Sequence, residues 1–302
     1  MLQFRNILCP IDFSETSARA LGYATALARW YDARLEVLHV VPAPEADDDR
    51  AGEDHRGSTG VMKRIQGTMV SSGADGLDAT PRVETGRPNH VIARRAQEMP
   101  ADLLVLGAHG RSGFNRLMLG SVTEKVLRQV TCPVLTVPLA AHPQADERVS
   151  FKTILCPIDY SPSSLLALQH ALDLARQAGG CVTVLHALEY IDTAEPAELS
   201  PFDPCHDAVV ESRGRRLQLV ERARSQLHAS VAPESREWCD IQESAVLVDR
   251  AYKAILKQAD ALHADLIVMG AQGASGLELM VYGSNTQHVL RAAACPVLTV
   301  KA

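Results

Sequence analysis

The chain has 302 residues, a length typical of about two domains. A composition of 46% hydrophobic and 22% charged residues excludes a disordered or fibrous protein and indicates a globular one. The net charge is -6 and there is no basic tract, which argues against nucleic-acid binding, although backbone amides can still bind a small phosphorylated ligand.

Targeting signals and membrane segments are not evident in the sequence. Residues 1–13 are strand-like and contain a carboxylate where a signal peptide needs a longer apolar core. No apolar run approaches the roughly 20 residues that span a bilayer. We therefore expect a cytoplasmic protein with no membrane partner. Four of the seven cysteines lie in apolar, strand-like segments and are expected to be buried, reduced thiols: Cys9, Cys132, Cys156 and Cys295.

The first half of the chain alternates predicted strands and helices. Residues 5–9 form a short apolar run, and Ser14 is placed to cap a helix whose apolar residues recur at helical spacing. The apolar run at residues 103–106 is uninterrupted, which suits a parallel strand covered on both faces by helices. The later strands are predicted at residues 35–41, 80–84 and 103–106.

The second half repeats the first. Residues 6–14, Asn-Ile-Leu-Cys-Pro-Ile-Asp-Phe-Ser, return at 153–161 as Thr-Ile-Leu-Cys-Pro-Ile-Asp-Tyr-Ser, an offset of 147 residues. Residues 101–121 return at 264–284, an offset of 163 residues, and the final Cys-Pro-Val-Leu-Thr-Val segment recurs at that same offset. A duplication of this kind decides the architecture of the whole chain.

The two offsets place 16 extra residues in the middle of the second copy. We expect them around the proline-rich residues 195–204, and we interpret residues 138–150 as a linker. The sequence therefore predicts an α/β protein with two tandem domains, residues 1–140 and 148–302. Each is expected to be an open, doubly wound, Rossmann-like domain with a five-stranded parallel sheet.

A glycine-rich loop with the spacing Gly-x2-Gly-x9-Gly-Ser follows the same predicted strand in both halves. Glycine lets the backbone turn tightly and approach a ligand, and the Gly-Ser pair opens a helix whose unpaired amides suit phosphate oxygens. The alternative is that the glycines only serve turns and the serines only cap helices. The residues are Gly107, Gly110, Gly120 and Ser121 in the first half and Gly270, Gly273, Gly283 and Ser284 in the second.

An aspartate follows the first predicted strand of each half, Asp12 and Asp159. The carboxyl end of such a strand faces the ligand crevice of an open α/β sheet. Because a carboxylate is repelled by a triphosphate, we expect it at the neutral end of a nucleotide, accepting hydrogen bonds from ribose hydroxyls or the adenine amino group. The alternative is that the aspartates cap the following helices, a role that Ser14 and Ser161 can also fill.

Together these motifs resemble the universal stress protein family over nearly the whole chain. The matching features are the Pro-Ile-Asp-Phe-Ser opening, the His39-Val40 pair, the glycine loop with the family's ATP-binding spacing, and the Cys-Pro-Val-Leu-Thr-Val strand. The resemblance implies the universal stress protein fold, with ATP as ligand, with or without Mg²⁺. It also implies that residues 134–137 and 297–300 pair edge to edge within the chain, and it leaves a homodimer open.

By this resemblance Asp12 contacts the ribose or base, the backbone of Val40 pairs with adenine, and the glycine loop surrounds the phosphates. The contact residues expected in the first half are Pro10, Ile11, Asp12, Val40, Leu106, Gly107, His109, Gly110, Arg111, Gly120, Ser121 and Val122. Those expected in the second half are Asp159, Ala187, Gly270, Gly273, Gly283 and Ser284.

The two glycine loops differ in charge. The first contains Arg111 and Arg116 together with His109, whereas the second has neutral residues at these positions and gains Glu278. Because charge-assisted contacts are the stronger ones, the first half is predicted to hold a triphosphate better. The second half also lacks the Gly-Arg-Pro turn that follows the third strand of the first.

Two further groups of residues carry less weight. Cys205, His206 and Cys239 lack the paired Cys-x2-Cys spacing of a metal site, so loop residues and a buried thiol are the preferred interpretation. His39 and His186 occupy matched strand ends and are interpreted as structural histidines.

The sequence favours nucleotide binding over turnover. No general base or acidic metal-binding pair accompanies the loop, and no Walker lysine follows its glycines. We expect a regulator of stress survival in which ATP occupancy changes the state seen by an unknown protein partner. The alternatives are a slow ATPase, an adenylating ligase, whose first loop would read Ser-Gly-Gly-x-Asp-Ser, and an interaction scaffold with a vestigial second site. A dehydrogenase is disfavoured because no Gly-x-Gly-x-x-Gly follows the first strand.

Overall fold

A computed structural model describes most of the chain. The described residues are 2–42, 54–110, 119–142, 151–189, 206–273 and 282–302. Among the helices in these ranges, none combines the length and apolar character needed to cross a membrane.

Strands and helices alternate through both halves. The first half contains β1 (Asn6–Pro10), α1 (Glu15–Tyr31), β2 (Arg34–Val41), α2 (Asp54–Ser71), β3 (Ala79–Thr85), α3 (Pro88–Glu98), β4 (Leu103–Gly107), α4 (Ser121–Gln129) and β5 (Val134–Val137). The second half contains β6 (Thr153–Pro157), α5 (Pro162–Ala178), β7 (Cys181–Glu189), α6 (His206–Ser230), a 3-10 helix (Pro233–Glu237), β8 (Asp240–Val248), α7 (Ala251–Ala261), β9 (Leu266–Gly270), α8 (Ser284–Ala292) and β10 (Val297–Val300). Each predicted strand of the first half is confirmed to within one residue at either end.

The ten strands form one continuous sheet rather than two separate ones. Their order is β3-β2-β1-β4-β5-β10-β9-β6-β7-β8. Neighbouring strands are parallel except at the centre, where β10 pairs with β5 in antiparallel orientation and Leu298 lies opposite Leu135. The expected pairing of the last strands within the chain is therefore present, and it fuses the two five-stranded halves edge to edge.

The hydrophobic core has two layers, one on each face of the sheet. One layer lies beneath α1, α2, α5 and α6, and the other lies beneath α3, α4, α7 and α8. Both layers continue across the β5–β10 junction, where Leu135 and Leu298 are each 2% exposed. Helices on both faces of a largely parallel sheet confirm the doubly wound α/β architecture.

The extra residues of the second half lie partly within regular structure. Helix α6 has 25 residues where α2 has 18, and the 3-10 helix follows it. The proline-rich residues 195–204, where the insertion was expected, lie outside the described residues. Of the expected linker, residues 138–142 form a turn, in which Ala141 N donates to Pro138 O over 3.2 Å.

The described cysteines are free thiols. Cys9 and Cys156, at matched positions of β1 and β6, are fully buried, as predicted. Cys132 and Cys295 are only partly buried. Burial raises the pKa of the Cys132 thiol to about 11 and that of Cys295 to about 12, so both are protonated at neutral pH.

A buried ion pair ties α3 to the sheet in the first half. Glu36 on β2 has no exposed surface, and its two oxygens accept hydrogen bonds from Nε and Nη2 of Arg95, both at 2.6 Å. Burial by itself would raise the pKa of Glu36, but the hydrogen bonds and charges of Arg95 and Arg82 outweigh it and hold that pKa below its usual value. The second half has Thr183 and Gln258 at the corresponding positions.

We predict that Glu36→Gln destabilises the protein by about 3 kcal/mol at pH 7, because it removes the buried counter-charge of Arg95 and leaves only the exposed Glu98 beside that guanidinium. The lowered folded-state pKa means that this stabilisation is complete above the unfolded pKa of about 4.3 and is lost as the pH falls through the folded value. Urea unfolding of wild type and variant should therefore converge in acid. Glu124→Gln, in an exposed pair with Arg128, is the control and should change stability by less than about 1 kcal/mol. Equal effects of the two substitutions at pH 7 would contradict the prediction.

Candidate functional site

A sharp turn at the carboxyl end of β1 sets the position of Asp12. The next residue, Phe13, adopts a left-handed backbone with φ of 63°, which costs an ordinary residue about 1–2 kcal/mol. The Oδ1 atom of Asp12 accepts hydrogen bonds from the backbone N–H and the hydroxyl of Ser14. Ser14 in turn caps α1 by accepting from Ser17 N. Ser14 is therefore the cap, and Asp12 orients it.

The second half repeats this turn. Tyr160 has φ of 65°, and Asp159 Oδ1 accepts from the backbone N–H and hydroxyl of Ser161, which caps α5. The two aspartates therefore have equivalent surroundings within their own loops.

The matched histidines support these turns. His39 Nδ1 lies 2.8 Å from Ile11 O and His186 Nδ1 lies 2.8 Å from Ile158 O, so each Nδ1 must carry the donating proton. The His39 ring also packs on Phe13, with ring centroids 4.6 Å apart. The structural role predicted for both histidines is confirmed.

The first glycine of each loop allows a helix to pack closely. A Cβ on Gly107 would lie 3.1 Å from the carbonyl carbon of Thr16 and 3.2 Å from Ser17 N, at the start of α1. A Cβ on Gly270 would lie only 2.8 Å from Ser164 N at the start of α5. Neither glycine has a positive φ. Both glycines also line the cavities described below, so their predicted contact with a ligand stays a prediction.

The second glycine brings the loop against the aspartate. A Cβ on Gly110 would lie 3.0 Å from Asp12 Oδ2, and one on Gly273 would lie 2.8 Å from Asp159 Oδ2. The hydroxyl of Thr16 donates to the carbonyl of His109 and ties the two loops together. The aspartate and the glycine loop thus belong to one site in each half.

Helix α4 begins at this site without a side-chain cap. Its N-cap residue is Gly120, so Ser121 is the first helical residue and does not cap the helix. The Thr123 hydroxyl donates to Gly107 O over 2.9 Å. It therefore makes its hydrogen bond to β4 rather than to the first amides of α4. Helix α8 starts in the same way at Gly283. The alternative in which the serines act as caps is wrong, and the exposed amides form a positively polarised surface.

A cavity of about 280 Å³ joins these parts in the first half. It includes every expected contact residue of that half except Arg111, which, like Arg116, lies outside the described residues. Its lining also contains residues that sequence reasoning missed. The full lining is Pro10, Ile11, Asp12, Ser17, Leu38, Val40, Pro88, Ile92, Leu106, Gly107, His109, Gly110, Gly120, Ser121, Val122 and Thr123.

A cavity of about 310 Å³ occupies the same place in the second half. All six contact residues expected there lie in its lining. The full lining is Pro157, Ile158, Asp159, Ser164, Leu185, Ala187, Glu189, Ala251, Ile255, Met269, Gly270, Gln272, Gly273, Gly283, Ser284, Asn285 and Thr286.

Some of the missed residues had a signal in the sequence. Thr123 and Thr286 follow the two Gly-Ser pairs at the same distance, within the repeated loop. Pro88 and Ile92 lie one helical turn apart on α3 and reach the first cavity from a different part of the chain. Only the fold brings that helix face to the glycine loop, so local motifs could not have identified it.

The first cavity has an apolar wall and a small number of polar groups. Leu38, Val40 and Ile92 supply apolar surface, and among the described lining residues Asp12 is the only carboxylate. The Nε2 atom of His109 is buried and has no hydrogen-bond partner within the described residues. A buried polar atom of this kind favours a ligand that can pair with it.

A basic groove of about 480 Å³ adjoins the first cavity and shares part of its lining. Arg87, His90 and Lys125 line it together with no carboxylate. The corresponding surface of the second half is filled by Tyr252, whose ring stacks on His288 with centroids 4.3 Å apart. The second half has Arg250, Lys253 and His288 at the positions of Arg87, His90 and Lys125, so the two rims differ in the Tyr252 ring rather than in basic residues.

Two side chains of the second cavity accept hydrogen bonds from the first amides of α7. Glu189 Oε1 accepts from Ala251 N over 2.9 Å, and Asn285 Oδ1 accepts from Tyr252 N over 3.2 Å, so the start of α7 is capped by these side chains. Glu189 also adds a second carboxylate to a lining that already contains Asp159. The two cavities have the same backbone plan, but the described lining of the second contains one more carboxylate.

We predict that Gly270→Ala destabilises the protein by about 1–3 kcal/mol, because the added methyl group is forced into the backbone of α5. Gly107→Ala, with longer contacts, should cost less. Gly214→Ala is the control: it lies in α6 with nothing within 4 Å of the new methyl group, and should stabilise the protein by up to about 1 kcal/mol. The midpoints of urea unfolding measure all three. A Gly270→Ala variant as stable as Gly214→Ala would show that this close approach is not rigid.

Comparisons with known proteins agree with the fold and the repeat. The profile of the universal stress protein family matches residues 3–138 and 150–301. A universal stress protein of Mycolicibacterium smegmatis is 27% identical over 306 residues, covering 98% of this chain and 96% of that protein. Universal stress protein YxiE of Bacillus subtilis is 33% identical over 150 residues, covering 44% of this chain and 99% of that protein.

A solved structure shares the full architecture. The crystal structure of a universal stress protein from Archaeoglobus fulgidus matches with a TM-score of 0.66 and 21% identity over 98% of both chains. Its likeness shows the common fold. Because the family profile matches both halves, the chain belongs to the universal stress protein family and contains two copies of the family's domain in tandem.

Proposed function

We propose that the chain is an adenine-nucleotide-binding regulator whose principal ATP site is the first cavity. The proposal divides the chain into domains of residues 1–140 and 148–302, each with one cavity. The observation that carries it is the pairing, in one cavity, of an uncapped helix N-terminus with a single carboxylate. These groups suit the two ends of a nucleotide, one anionic and one neutral.

The base and ribose would occupy the end of the cavity near β1 and β2. Asp12 Oδ1 is engaged by Ser14, and its Oδ2 faces the Gly110 side of the cavity, where it can accept from a ribose hydroxyl or an adenine amino group. The apolar surface of Leu38, Val40 and Ile92 suits a flat ring system, and the backbone of Val40 is placed to pair with its edge.

The phosphates would lie against the start of α4. The amides of Ser121 and Val122 lie at the positive end of the helix dipole, and His109 Nε2 can pair with a phosphate oxygen. Arg87 and Lys125 in the adjoining groove add charge that favours a triphosphate over a monophosphate. The phosphates of bound ATP would supply hydrogen-bond acceptors for the amides of Ser121 and Val122 and for His109 Nε2.

The second cavity is proposed to be a weak or vestigial site. Its expected contacts, including Asp159, Ala187 and the loop Gly270, Gly273, Gly283 and Ser284, lie together as in the first half. Glu189 caps the adjacent helix from within that cavity, and its carboxylate opposes a polyphosphate.

Binding without rapid turnover is the favoured role. Within the described residues there is no group of three His, Cys, Asp or Glu side chains that could hold a metal ion, so we propose that any Mg²⁺ would be held mainly by the phosphates of ATP. Nucleotide occupancy would then alter the surface seen by a protein partner in the cytoplasm. A slow ATPase remains the competing function, and phosphate release that depends on Asp12 would identify it.

We predict that the chain binds one ATP tightly and that Gly120→Val weakens this binding by more than about tenfold. The added branches would collide with Ala108 O and Gly110 N, which lie 3.3 and 3.4 Å from a Cβ at this position, and would also block the amides of α4. Gly283→Val is the matched substitution in the second half and should weaken the tight site much less than Gly120→Val does. Isothermal titration calorimetry and native mass spectrometry measure affinity and stoichiometry.

The outcomes are separable. A wild-type chain that carries no nucleotide and shows no thermal shift with millimolar ATP and Mg²⁺ would refute the proposal. Unchanged binding by Gly120→Val would mean that the phosphates are held elsewhere. A loss with Gly283→Val instead would reverse the assignment of the two cavities.

A further inference from the structure

Lys301 reaches from the second half of the chain to a helix of the first. It follows β10, and its Nζ donates to Leu127 O over 2.8 Å and to Val130 O over 2.6 Å. These carbonyls lie at the end of α4, where helix carbonyls lack partners of their own. Within the described residues Lys301 forms no ion pair, so the carbonyls at the end of α4 are what hold its ammonium group.

The same helix begins at the first cavity. Helix α4 has nine residues, a length of about 13 Å, so its two ends are joined by a short rigid rod. The ammonium at its carboxyl end complements the helix dipole whose positive end faces the cavity. The equivalent of Lys301 in the first half is Pro138, which has no amine to offer α8. Only one of the two phosphate-facing helices is held in this way.

Lys301 also contacts the glycine loop of the second half. Its Nζ lies 5.4 Å from the centre of the Tyr282 ring, and Tyr282 is the residue before Gly283. The Tyr282 side chain is 5% exposed, and its hydroxyl lies 3.2 Å from Thr299 Oγ1. Thr299 donates to Val134 O of β5 over 3.3 Å. The equivalent of Tyr282 in the first half is Leu119, which has no aromatic ring.

We propose that Lys301 is a positioning residue for the first nucleotide site, and that its contact with Tyr282 makes that site sensitive to the state of the second glycine loop. The inference rests on the proposed nucleotide function. A ligand or substitution that shifts Tyr282 would move the ammonium from the end of α4 and change how the start of α4 presents its amides. Because a coupling free energy is reciprocal, ATP at the first site would shift the second loop by the same factor. The contact occurs once, since Pro138 and Leu119 replace Lys301 and Tyr282 in the first half.

The first test compares Lys301→Met with Lys301→Arg in the full chain. Lys301→Met should weaken ATP binding roughly three- to tenfold and accelerate hydrogen exchange of the amides of α4. Lys301→Arg keeps the charge and should remain within about twofold of wild type. Adenosine, which lacks phosphates, should lose much less affinity than ATP. Lys63→Met, on the exposed face of α2, removes an equal charge away from both cavities and is the control.

The second test concerns the link to the second loop. Tyr282→Leu introduces the residue of the first half and removes the ring, so it should weaken ATP binding at the first site in the same direction as Lys301→Met. Tyr282→Phe keeps the ring and should behave like wild type. Equal ATP affinities for Tyr282→Leu and wild type would overturn the link between the loops.

The remaining outcomes separate this inference from the function on which it rests. If Lys301→Met matches Lys63→Met in ATP affinity and in exchange of α4, the positioning role is refuted while the nucleotide site stands. If Lys301→Met weakens ATP and adenosine equally, Lys301 acts on general stability and the inference fails. A wild-type chain that binds neither ligand would refute the proposed function itself.

Discussion

The antiparallel pairing of β5 with β10 is the contact on which the rest of the molecule depends. Both strands have only four residues, and each would otherwise end its half-sheet with an unpaired edge of backbone donors and acceptors. On each face of the sheet, this pairing makes the hydrophobic layer of the first half continuous with that of the second half. It also relates the halves by an approximate two-fold axis, so the carboxyl ends of their parallel strands point in opposite directions. The two cavities therefore open at opposite edges of the sheet.

Repetition in the sequence made most of this architecture predictable. The recurrence of Pro-Ile-Asp and of Cys-Pro-Val-Leu-Thr-Val aligns the strands of the two halves, and the apolar runs give their limits to within one residue. The glycine spacing predicted which segments meet at each cavity because every part of that motif lies close to a strand end. Gly107 shows where such reasoning stops: the motif marks it as a cavity residue, but it does not show that α1 approaches β4 closely at this position. The sequence shows that Gly107 has no side chain, but only the structure shows that α1 lies where a Cβ would be.

Contacts between distant residues were beyond sequence reasoning. Glu36 and Arg95 are 59 residues apart and Lys301 and Val130 are 171 apart, and no local pattern distinguishes these charges from solvated ones. Glu189 is a further example, since its role depends on the start of α7 lying beside the end of β7. The sequence difference between the loops did indicate unequal sites through Arg111 and Arg116. The described structure supports the same inequality from other residues, the basic groove of the first half and the carboxylate of the second.

Unequal cavities on one backbone plan suggest a division of labour between the copies. Each half keeps the strained turn, the oriented aspartate and the uncapped helix, because these follow from packing that both copies need for folding. Some side chains differ between the halves: Glu189 and Asn285 accept from the first amides of α7 in the second half, while a groove lined by Arg87, His90 and Lys125 adjoins the first cavity. Lys301 of the second half also donates to the carbonyls at the end of α4 in the first half, a contact that Pro138 cannot repeat in the other direction. Fusing two copies into one chain permits this, because a symmetric dimer of identical subunits would place the same lysine at both helices.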